Sequence, residues 1–148
     1  MPDTPLHEHP AVLHLMGTEH WPTTLNFEPV PYPMRWVQRK NPDGGHQAFW
    51  CWLGYDDKPE TVDARYYGMP HDVAADLITL AAVRGMWAKG YMPRQWHSPG
   101  GINKKACACR SYEDGNFFGH YGTIWLQPTE PLAILAAYQA TVMEGGNG

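Results

Sequence analysis

The chain has 148 residues, 43% of them hydrophobic and 18% charged, and a formal charge of −4. That length holds one domain with a sizeable core, and the apolar share excludes a disordered polar chain. So mild a charge gives no global pull toward nucleic acid, which leaves only a local basic patch for such a role.

The first element expected is a short helix near Pro10–Met16, with Gly17 suited to close it. Residues 18–33, "TEHWPTTLNFEPVPYP", scatter prolines among apolar positions and read as extended covering chain. "MRWVQRK", the turn "NPDGG" and "HQAFWCWLGYD" then predict a β-hairpin. The second strand is apolar on both faces, with Ala48, Trp50 and Trp52 on one and Phe49, Cys51, Leu53 and Tyr55 on the other. Such a strand belongs in the middle of a sheet. "TVDARYY" reads as a third strand. Gly68 and Pro70 end the sheet and lead to a helix over Asp72–Ala88, whose Val73, Leu77, Leu80, Ala81 and Met86 form a candidate buried stripe.

The second half echoes the first. "YPMRW" at 32–36 matches "YMPRQW" at 91–96, "AFWC" at 48–51 matches "ACAC" at 106–109, and "LAAVRG" at 80–85 matches "LAAYQA" at 135–140. A last helix over Glu130–Met143 has Thr129 as its N-cap and Pro131 in its first turn. The expected fold is α+β: an antiparallel sheet of about five strands with two main helices packed on it. It reads as a single domain, with a covering segment at 1–33, hairpin-plus-helix units at 34–89 and 90–143, and a tail at 144–148. Chance similarity of aromatic-rich turns is the other reading of the echo.

The richest chemistry lies in "NKKACACRSYEDGNFFGHYG", residues 103–122. A two-residue turn at Asp114-Gly115 sets Tyr112 opposite Phe117 and Cys109 opposite His120, with Cys107 on the same face. Zinc bound by Cys107, Cys109 and His120 would lack within this hairpin the fourth ligand of a structural site; Cys51 could supply one from another strand, though nothing in the sequence requires that proximity. A Cys109–His120 nucleophilic pair has no orienting group or oxyanion site in any recognisable motif. Cysteines as small apolar fillers of a sheet suit the pattern better. The expectation is therefore no metal and no cofactor.

His7, His9 and His14 read as polar residues of a loose terminus, and "HSPGG" at 97–101 lacks the strand–nucleophile–helix setting of a catalytic loop. No phosphate-cradling glycine pattern occurs. Basic and aromatic residues do interleave at Arg35/Trp36 and Arg94/Trp96, which are the candidate binding residues. Such mixtures stack bases or anchor proteins. They also serve as tryptophan core with a charged strand edge.

The carboxy-terminal run "PTEPLAILAAYQA", with Trp125, Pro131, Leu132 and Ala133, resembles small phage- and prophage-encoded proteins of the ABA-sandwich type. "DVAADLITLAAV" at 72–83 is a weaker instance. The resemblance covers the last third of the chain and implies a sandwich fold, with no defined activity and no functional residues to carry over. The start lacks a secretion signal, the apolar runs are too short to span a bilayer, and three cysteines suit a reducing compartment, so a cytoplasmic location is expected. The function expected is that of a non-enzymatic accessory protein of a phage or mobile element, binding a host protein or small ligand through its aromatic-rich surface. A zinc-binding or Cys/His-dependent enzyme and a nucleic-acid binder are the alternatives. So many aromatic residues also suit a homodimer interface.

Overall fold

The computed structural model describes residues 5–23, 32–41, 43–52, 58, 68–97, 105–111, 117–118, 126–127 and 129–144, with the backbone alone at 94–97, 105–111, 117–118 and 126. They form two compact units: Met1–His20 together with Ile78–Gly148, and Trp21–Leu77. The amino-terminal segment thus groups with the second half of the chain. The class is α+β. Among the described residues the strands make two antiparallel sheets, of three and four strands, in place of the expected single sheet of about five.

In the Trp21–Leu77 unit, β1 (Met34–Lys40) pairs with β2 (His46–Trp52), Met34 opposite Trp52 and Lys40 opposite His46. The turn between them closes through Asn41 N–H to the Gly45 carbonyl at 2.7 Å, and the Asp43 carboxylate accepts from Gly45 N–H at 2.9 Å. Gly44 occupies the left-handed region at φ 92°. On the other side of β2 lies β3 (Gly68–Met69), so β2 is central, as its two apolar faces require. The expected third strand, "TVDARYY", falls on residues outside the described set, and Gly68 belongs to the sheet rather than ending it. One face carries Trp36 and Trp50 at 5.3 Å and Trp21 and Trp50 at 5.9 Å between ring centroids, all tilted as aromatic quadrupoles favour. The Trp21 indole N–H donates to the Met34 carbonyl at 2.7 Å. The other face holds Val37, Cys51 and Phe49.

After Pro70, α2 runs over His71–Ala88 and ends at Gly90, whose φ of 88° suits a residue without Cβ. Its buried positions are Ala74, Ala75, Ile78, Ala81, Ala82, Gly85 and Met86. The expected stripe is therefore rotated: Val73 and Leu80 face outward, and only Ala81 and Met86 of that set are buried. Small side chains permit the closest approach of a helix to its neighbours, and that face wins over the bulkier one.

The other unit has α1 (Pro10–Leu15) near its start, then β4 (Tyr91–His97), β5 (Lys105–Ser111), β6 (Phe117–Phe118), β7 (Leu126–Gln127) and α3 (Glu130–Tyr138). The order is β4-β5-β6, with β7 also on β5. Pro93 sits in an edge strand, where a missing N–H is tolerated. Thr129 caps α3, its hydroxyl accepting from Leu132 N–H at 3.4 Å. Residues 133–138 are all buried, as α3 has α1 on one side and β4, β5 and β7 on another. At Tyr138 the helix widens into a π-turn, Gln139–Met143, where the buried Thr141 hydroxyl donates to the Ala137 carbonyl at 2.7 Å.

Candidate functional site

The hairpin register differs from that expected. Cys109 pairs with Phe118 and Arg110 with Phe117, two residues away from the Cys109–His120 pairing. The register then changes again at β7, where Lys105 meets Gln127, so β6 and β7 do not continue one regular ladder. His120 lies outside the described residues, as do the side chains of Cys107 and Cys109. Among the described residues, no group of three His, Cys, Asp or Glu could hold a metal ion.

Arg35 is exposed, whereas Trp36 is half-buried against Trp50. Adjacent strand residues project to opposite faces, so these two side chains do not form one patch. Arg94 and Trp96, two apart on β4, occupy register positions opposite Ala108 and Ala106. Their side chains are outside the described set. The two pairs belong to different sheets.

The described groups converge instead beside the end of α1. A cleft of about 490 Å³ is lined by residues of α1 and the bend after it (His14, Thr18, His20), of α2 and its end (Gly85, Lys89) and by Tyr138, with Glu19, Ala88 and Val142 completing its wall. Tyr138 is only 1% exposed, and its hydroxyl lies 2.8 Å from His14 Nδ1. Where the imidazole proton is on Nε2, the phenol donates to Nδ1 and His14 presents an N–H outward; the opposite tautomer reverses the bond. The phenol is protonated at neutral pH in any case, and burial raises the Tyr138 pKa further above its ordinary value. The Thr18 hydroxyl donates to the Leu15 carbonyl at 2.8 Å and accepts from His20 N–H at 3.3 Å, fixing the bend after α1. His20 Nε2 and the exposed Glu19 carboxylate are 3.8 Å apart.

Local sequence explains this arrangement. His9 caps α1, its Nδ1 accepting from Ala11 N–H at 3.1 Å, and burial lowers its pKa, which favours the neutral form that can accept. The cap fixes where the helix starts, and His14 then falls on its last turn. These histidines are thus structured, unlike the loose terminus expected for them. The cleft escaped sequence reasoning because its two central residues are 124 positions apart. The available signal was Gly85: a glycine inside an apolar helical run marks a close approach.

Comparison with known proteins found no match: no family model fits the chain, and no curated protein or solved structure is significantly similar to it.

Proposed function

We propose that this chain works by binding and not by catalysis, taking a small polar molecule into the cleft beside Tyr138. The observation that carries this reading is the pairing of a buried phenol with an outward-facing imidazole at 2.8 Å, on the wall of a concavity of about 490 Å³. That volume lies within the ordinary range for small-molecule sites. Lys89, His14, His20 and Thr18 supply donors and acceptors, and the exposed His14 ring adds a flat face, held in place by the buried Tyr138 behind it. A phenol whose pKa burial moves further from neutral suits an anchoring group better than a base or nucleophile.

The wider role, as an accessory protein of a phage or mobile element, rests on the likeness at Pro131–Ala133 and on no feature of the cleft. The test of the binding reading is a protein-observed NMR screen of amino acids, nucleosides, polyols and dicarboxylates. Binders should perturb the His14 and His20 imidazole signals and be lost when Val142→Phe narrows the cleft. A screen in which no compound moves those signals rejects the proposal.

A further inference from the structure

Two residues of the stripe expected to be buried on α2, Val73 and Leu80, face outward together with Trp87, and none of the three lines the ligand cleft. Val73 and Leu80 are each 46% exposed and Trp87 is 55% exposed. Residues seven apart drift by only about 20° around a helix, so these three fall on one line. That line runs roughly opposite the buried positions Ile78 and Gly85. Single exposed apolar residues need no explanation, but three large ones aligned over four turns mark a contact surface.

We propose that this line is the contact between two copies of the chain, with their α2 helices packed antiparallel about a two-fold axis passing beside Leu80. The pattern is self-complementary about that residue. In an antiparallel pair, positions equally far before and after the centre stand at one level. Val73 and Trp87, each seven from Leu80, then face each other, a small side chain against a large one. Asp76 and Arg84, each four from Leu80 and both exposed, also come to one level, giving two opposite-charge pairs across the axis. Leu80 meets its own copy. A parallel arrangement would set Asp76 against Asp76 and Arg84 against Arg84, which charge repulsion disfavours. Such self-matching is what a two-fold interface requires, and an unrelated partner would impose no symmetry on the sequence.

The test is sedimentation velocity on the full chain across a concentration series. The wild type should self-associate to a dimer, and Leu80→Glu should be monomeric with unchanged helix content by circular dichroism. Asp76→Arg or Arg84→Asp alone should each raise the dimer dissociation constant about tenfold or more, and the two together should restore it. A chain that stays monomeric at every concentration overturns the proposal and leaves the face to a different protein. A dimer indifferent to Leu80→Glu, or charge reversals that fail to rescue each other, overturns it as well.

Discussion

A Cβ placed on Gly85 would stand 2.8 Å from Cε2 of the Tyr138 ring, closer than real Cβ contacts come. The glycine is therefore what lets α2 lie against the terminal turn of α3. Tyr138 has little room to retreat, since its ring is buried and its hydroxyl is held by His14. Gly85→Ala should destabilise the protein by about 1–2 kcal/mol, because overpacking outweighs the helix-propensity gain of alanine. Urea denaturation measures this, and an equal or greater stability of the variant would show that the ring yields freely.

Removing the phenol oxygen isolates the other half of the contact. In Tyr138→Phe the ring still fills its site, and His14, which is exposed, turns to water. A loss of only about 0.5–1.5 kcal/mol is expected, as for one exchanged hydrogen bond. The His14 imidazole signal should shift in the NMR spectrum. A spectrum unchanged at His14 would mean that the 2.8 Å contact is not made in solution.

Much of the architecture could be read from the sequence because its signals are local. Asn-Pro-Asp-Gly-Gly marked the first hairpin, Thr129 and Pro131 the start of α3, and Pro70 the start of α2. What could not be read depends on contacts distant in sequence. The rotation of α2 followed from its alanine face packing more closely than its leucines can, which no periodicity reveals when both faces are apolar. The β5–β6 register, with Cys109 opposite Phe118, lies two residues from the one expected from a tight Asp-Gly turn. The cleft joins groups from the first and last helices, so neither end announces it.

The cap of α1 makes stability depend on pH. In the folded chain the His9 pKa lies below its usual 6.5 because burial disfavours the charged ring. Below that value the unfolded chain binds a proton that the folded one refuses, so stability falls with falling pH. The contribution is complete above about pH 6.5 and is lost progressively as pH drops toward the folded-state pKa. His9→Asn keeps a cap acceptor without a titrating group. Melting temperatures at mildly alkaline and mildly acidic pH should show a smaller acid-side loss in the variant. An identical pH slope in both proteins would remove His9 from the account.

The turn of the first hairpin gives a backbone test. Gly44 has φ 92° and open space around the position of a Cβ, so a side chain there meets no neighbour but forces an unfavourable conformation. Gly44→Ala should cost about 1 kcal/mol, and Gly44→Asn less, since asparagine tolerates the left-handed region. Equal stabilities for alanine and asparagine in urea unfolding would place the turn in a different conformation.

The candidate pair Arg35/Trp36 must be divided before either residue is tested for binding. Trp36 packs its ring edge-on against Trp50 directly across the ladder, whereas Arg35 projects from the other face and is exposed. Arg35→Ala should leave stability within about 0.5 kcal/mol, as surface substitutions do. Trp36→Ala strips one wall from the Trp21–Trp50–Trp36 cluster and should cost about 2–4 kcal/mol. A loss of partner binding in Trp36→Ala would therefore report on the sheet as much as on a contact, while a loss in Arg35→Ala with an unchanged melting temperature would locate the contact on the Arg35 face. Unfolding curves for the two single variants decide this, and equal costs would contradict the opposite-face arrangement.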